Sequence, residues 1–147
     1  MQMMTNAKPT VLIIDDDDGF QIRLSAILRR AGYYVASASN GDEAMSLLMS
    51  GKPLPDVIVL DLVMPVMDGW HFREIQVKNP KIAHIPIVVV AEAPIEKEYY
   101  RSLRANAAVR KPIERMKILR VIEKTRTQAN LTLVPRQTRK VLDYLLT

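Results

Sequence analysis

Cysteine is absent from the 147 residues. That excludes a disulfide framework, a thiol nucleophile and any zinc site with thiolate ligands. Long apolar runs are missing too: none approaches the ~18 residues of a membrane span, and residues 1–6 lack the apolar stretch of a secretory signal. A cytoplasmic location away from membranes is expected. Glycine is scarce, with 5 in the chain, none at a spacing that cradles a nucleotide phosphate. The 2 histidines, His71 and His84, are far apart and form no ligand cluster, so surface positions are expected for both. Neither an internal repeat nor a low-complexity tract occurs. What remains is 48% apolar and 25% charged, the composition of an ordinary globular domain with at most a short appendage. Charge is spread unevenly. Residues 1–69 hold 5 Lys/Arg and 9 Asp/Glu, whereas residues 70–147 hold 16 and 7. A basic half suits a solvated face, nucleic acid or an acidic partner.

Two periodicities alternate along the chain. Residues 10–14, 33–37, 57–60, 85–90 and 107–109 are short apolar runs of the kind buried on both faces of a sheet. Between and after them, residues 20–31, 40–50, 68–78, 95–104 and 113–128 read as helices. Gly32 and Gly51 serve as stops, Pro53 and Pro55 mark a loop, and Asp68 is an N-cap. Strict strand–helix alternation predicts an α/β fold with a parallel sheet covered on both sides. The expected organisation is a tail over 1–9, a domain over 10–128 and an extension over 129–147. In such sheets the functional crevice lies at the carboxyl ends of the strands.

Asp15-Asp16-Asp17-Asp18 follows the first strand, Asp61 the third, and Lys111-Pro112 the fifth. Each feature alone reads as a solvated loop or a helix cap. Their conjunction places several carboxylates and one ammonium at one sheet edge. Clustered carboxylates are costly to ionise together, and a hard cation such as Mg²⁺, bound through oxygens on an open site, relieves that cost. The lysine adds a compact positive charge for an incoming anion. Metal and ammonium around one carboxylate suit phosphoryl chemistry with the carboxylate as nucleophile. A calcium loop fails here, because Gly19 at loop position six puts Ile14 where the first acid belongs.

These residues resemble the receiver domain of bacterial two-component response regulators. The matching segments are Val11-Leu12-Ile13-Ile14-Asp15-Asp16, the run from Asp56 through Asp61, Met64-Pro65 and Asp68-Gly69, Ile85-Pro86-Ile87-Val88-Val89-Val90, and Lys111-Pro112-Ile113. Gly32-Tyr33 and Asn40-Gly41-Asp42-Glu43-Ala44 also fit. The resemblance runs from about residue 10 to 128. It implies a five-stranded, doubly wound CheY-like sheet and a signalling module rather than an enzyme. It implies Asp61 as phospho-acceptor, Asp16 as a direct Mg²⁺ ligand, Asp15 as its water-bridging partner and the Val63 carbonyl as a further metal contact. Lys111 is implied as the phosphoryl clamp, with Pro112 its rigid neighbour. The implied donor is a phosphohistidine on a sensor histidine kinase or phosphotransfer protein.

Two family positions depart. The usual Thr or Ser closing the fourth strand is Ala91, and no Ser or Thr occurs from 81 to 101. The usual fifth-strand aromatic is Ala108, and Arg104-Ala105 replaces the common Gly-Ala before that strand. A hydrogen bond to a charged oxygen contributes ~1.5–3 kcal/mol, against the ~5.5 kcal/mol needed to move a two-state equilibrium from 1:99 to 99:1. Phosphoryl uptake with weakened or unconventional switching is therefore expected, with Tyr99 and Tyr100 as candidates for an altered readout. A phosphorylation-independent interaction module is the alternative. Apolar Val63 and Ala93 beside the acceptor predict slow hydrolysis. A dehalogenase-type phosphatase needs a second acid two residues after the nucleophile, where Val63 stands.

Residues 129–135 are expected to break the fifth helix, and 136–147 to form a short amphipathic one behind Pro135. The segment faintly resembles the start of a LuxR-type helix-turn-helix, but no recognition helix follows, so sequence-specific DNA binding is not expected. This short helix, or the face formed by the fourth and fifth helices, is the candidate homodimer surface.

Overall fold

The computed structural model describes residues 8–64, 67–94 and 96–131. Strands β1 (Thr10–Ile14), β2 (Tyr34–Ala38), β3 (Val57–Asp61), β4 (Ile87–Ala91) and β5 (Ala107–Arg110) alternate with helices α1 (Asp18–Arg30), α2 (Gly41–Leu48), α3 (Gly69–Lys78), α4 (Lys97–Ser102) and α5 (Arg115–Leu131). All five strands pair in parallel in the order β2-β1-β3-β4-β5. This is the flavodoxin-like doubly wound order, whose direction reverses between β1 and β3 and opens a crevice at their carboxyl ends.

Successive strand residues point to opposite faces, and the core divides accordingly. Leu12, Ile14, Leu60, Ile87 and Val89 pack with Phe72 and Leu48 on one face. Val11, Ile13, Val59, Val88 and Val90 pack with Phe20, Leu24, Leu28, Ile118 and Ile122 on the other. Every residue of β3 is buried, so its last residue, Asp61, is held rigidly at the crevice. His71 and His84 are exposed.

Several helix boundaries differ from the sequence pattern, and three have a local reason. Helix α1 begins at Asp18, two residues early, because the Asp17 carboxylate accepts from the Phe20 N–H and caps it. Helix α4 spans only six residues and has no side-chain cap. It is followed by Arg104 in the left-handed region at φ 54°. Helix α5 runs to Leu131, beyond the boundary expected at 128. Ala129 is the best of helix formers, and no Gly or Pro intervenes before Pro135. The expected terminal helix over 136–147 lies outside the described residues.

One buried polar network holds the α4–β5 connection to α3. Arg73 donates to the Leu103 and Arg104 carbonyls and to Gln76 Oε1, each at 2.8 Å. Gln76 in turn donates to the carbonyls of Ile82 and Ile85. Burial and the nearby Arg104 charge lower the Arg73 pKa.

Candidate functional site

Asp15 directly follows β1 and is 1% exposed. Its Oδ1 accepts from the Asp17 N–H at 2.9 Å, and its Oδ2 accepts from the Lys111 ammonium at 2.7 Å. Gln21 braces this turn from below: its side-chain amide donates to the carbonyls of Ile13, Asp15 and Ala38. Asp16, next in line, is exposed.

Asp61 ends β3 and is 8% exposed. The chain behind it turns tightly. A Cβ on Gly69 would lie 2.5 Å from the Asp61 carbonyl oxygen and 2.7 Å from Leu62 Cα, so only glycine fits. The Gly69 N–H donates to the Leu62 carbonyl, and the Asp68 carboxylate caps α3 at the His71 N–H. The Asp-Gly pair therefore locks the β3–α3 connection against the end of β3.

Lys111 follows β5, and its N–H donates to the Ala91 carbonyl at 2.8 Å. The bond from Lys111 to Pro112 is cis. The ammonium reaches back across the sheet edge to Asp15 and sits 4.2 Å from the Phe20 ring centroid. A cation over an aromatic face is attracted by the ring quadrupole, so Phe20 helps to position the lysine.

The electrostatics follow from this crowding. The Asp61 pKa is pushed up to about 6, first by burial and then by the Asp15 charge, with Asp16 adding to it. Lys111 and a hydrogen bond from the Val63 backbone oppose the rise. One carboxylate oxygen from each of Asp15, Asp16 and Asp61 lies within 4.8 Å of the others. Opposite ligands of an octahedral Mg²⁺ sit about 4 Å apart. Three crowded carboxylates, one of them hard to ionise, therefore fit a small hard cation in both donor type and spacing.

The structure thus brings Asp15, Asp16, Asp61 and Lys111 to one edge, with Val63 at its rim, 81% exposed. Ala91 closes β4 half-buried beside this edge, and Ala93 follows exposed. Ala108 stands apart, exposed on β5 and paired with Val89. Tyr99 lies on α4, exposed, with its ring 5.8 Å from that of Trp70 in an edge-to-face arrangement. Sequence reasoning overlooked Phe20, Gln21 and Trp70. Phe20 and Gln21 sit in the first turn of a helix that opens on the acidic run, and Trp70 follows Asp68-Gly69. That proximity to the acids was the available signal.

The family model for the response regulator receiver domain matches residues 11–123. The chain belongs to that family. It is 28% identical to the protein PilH of Pseudomonas aeruginosa over 114 residues, covering 76% of this chain and 93% of PilH. A crystal structure of a putative response regulator from Chloroflexus aurantiacus superposes with TM-score 0.76 at 30% identity, covering 82% of this chain and 98% of that one. The receiver domain of the sensor histidine kinase PA1611 from Pseudomonas aeruginosa, solved with a magnesium ion in its active-site cleft, superposes with TM-score 0.74 at 22% identity, covering 82% and 99%. Receiver domains are signalling modules of two-component systems that work with histidine kinases or phosphotransfer proteins. Among the described residues, no helix is long and apolar enough to cross a membrane.

Proposed function

We propose that this receiver accepts a phosphoryl group on Asp61 from a phosphohistidine of a sensor kinase or phosphotransfer protein. The observation that carries this reading is the meeting of three carboxylates and one ammonium from the ends of β1, β3 and β5. Asp15, Asp16, Asp61 and the Val63 carbonyl would hold Mg²⁺. When bound, the ion supplies positive charge that neutralises the phosphoryl oxygens. An Asp61 oxygen attacks phosphorus in line with the departing imidazole nitrogen, and the ammonium of Lys111 pairs with a phosphoryl oxygen. To do so Lys111 leaves Asp15 Oδ2; a cation held beside Asp15 would supply charge that offsets this loss.

The readout is weak or unconventional. Ala91 has no hydroxyl to offer the phosphoryl group, and Ala108 has no ring to turn inward. Those two residues also favour a second reading, a module that binds partners whether or not it is phosphorylated. Intact mass after incubation with Mg²⁺ and acetyl phosphate separates the two. A single phosphoryl adduct that needs both Mg²⁺ and Asp61, and is lost in Asp61→Asn, supports the first. No adduct on the chain, beside a receiver that labels under the same conditions, favours the second.

A further inference from the structure

The acidic edge does not stand alone: it opens into a cleft of about 680 Å³ between the β3–α3 and β4–α4 connections. Asp16, Asp61 and Lys111 line it together with Trp70 and Tyr99, and Glu92 and Glu96 add two further carboxylates. A concave cleft of this size that joins charged and apolar lining is the usual form of a small-molecule site. Three large hydrophobic side chains that the fold leaves exposed, Val63, Trp70 and Tyr99, border this one cavity. Isolated exposed apolar residues are ordinary, but a contiguous group beside a charged pocket marks a binding surface.

We propose that this cleft binds organic phosphates with an aromatic body, the phosphoryl head at the carboxylate–lysine end and the ring against Trp70 and Tyr99. The two ends differ in what they demand. The head end needs a dianion, because Lys111 and a metal held by three carboxylates both look for oxygen ligands. The far end offers two ring systems at 73° to each other, so a third ring stacks on one while meeting the edge of the other. An alkyl body gains only area there, whereas an aryl body also gains ring–ring geometry. The site therefore discriminates by the body of the ligand and not by its head. This inference rests on the metal-and-lysine reading of the head end but does not require phosphoryl transfer.

Non-transferable ligands test it. Phenylphosphonate and methylphosphonate present the same head with and without a ring, and neither can phosphorylate Asp61. Calorimetric titration of the full chain in saturating Mg²⁺ is expected to show phenylphosphonate binding about tenfold more tightly, the worth of one good aromatic contact. Trp70→Ala and Tyr99→Ala, both at exposed positions, should bring the two affinities together. Equal affinities in the unaltered chain, a preference that survives both substitutions, or no binding of either ligand would overturn the proposal. Acetyl phosphate labelling of the same preparations reports on Asp61 separately: labelling without phenyl preference sinks the cleft proposal alone, and phenyl preference without labelling sinks the phospho-acceptor reading alone.

Discussion

The two halves of the sheet edge are built differently. At β1 and β3 Asp15 and Asp61 are closely held. Asp15 has both oxygens engaged, Asp61 ends a fully buried strand, and Gly69 presses the chain against it. At α4, and at positions 91 and 108, the fixing is sparser. Helix α4 is six residues long without a side-chain cap, Ala91 and Ala108 present no functional group, and the α4–β5 turn is held by Arg73 of α3 and by the Asn106–Ile87 hydrogen bonds to β4. The contrast teaches that holding a reactive carboxylate and reporting its state are separable tasks. The first needs rigid charge placement; the second needs an element that can adopt two arrangements whose energies the phosphoryl group biases.

The largest expected effect breaks the sparse half. Arg73→Met leaves the buried Leu103 carbonyl and Gln76 Oε1, and the part-buried Arg104 carbonyl, without their donor, which costs about 3 kcal/mol or more at 1–3 kcal/mol per unsatisfied group. Denaturant unfolding should show this loss.

The next prediction sharpens the rigid half through pH. The Asp61 pKa rises from 3.8 unfolded to about 6 folded, so folding favours the protonated form. Below the unfolded value no penalty exists; it grows with pH and is complete above about 6. Metal-free protein should therefore lose about 2–3 kcal/mol of stability between pH 4 and pH 8 from this group, at 1.36 kcal/mol per unit. Asp61→Asn should remove that loss and stabilise the metal-free chain at pH 8 but not at pH 4. Thermal unfolding in EDTA at both pH values checks the sign.

Two smaller changes probe the readout side. Ala91→Thr restores a hydroxyl beside the phosphoryl position, a hydrogen bond to a charged oxygen worth about 1.5–3 kcal/mol. Affinity for a phosphoryl mimic such as beryllofluoride, read by titration with Mg²⁺, should rise about tenfold or more. Arg104→Gly relieves a left-handed backbone position at φ 54°. The steric relief of about 1–2 kcal/mol is partly offset by glycine's greater unfolded-state entropy, leaving a gain of about 1 kcal/mol or less in chemical denaturation.

The same contrast explains what the sequence revealed. Strands buried on both faces are continuous apolar runs, so Val11–Ile14 of β1 and all of β3 but its last residue were plain to read, and the charged groups after them marked the edge. Helix ends were less legible because they depend on caps. Asp17 looks like one more acid in a run, and only the structure shows it capping α1 rather than joining the cluster. The Lys111–Asp15 pair joins residues 96 positions apart, and the Trp70–Tyr99 contact joins two helices across a cleft. Neither leaves a periodic trace. The Arg73 network was equally hidden, since an arginine inside a helix reads as a solvated face until its carbonyl partners are known.

The central claim is that the chemistry is intact while the readout through α4 and β5 is weak. Amide hydrogen exchange of the Mg²⁺ form, with and without phosphorylation of Asp61, tests it most directly. The account predicts slowed exchange over residues 61–69 and little change over 97–110. Slowing over 97–110 as large as that over 61–69 would contradict it, showing that this domain switches fully without a hydroxyl at 91 or a ring at 108.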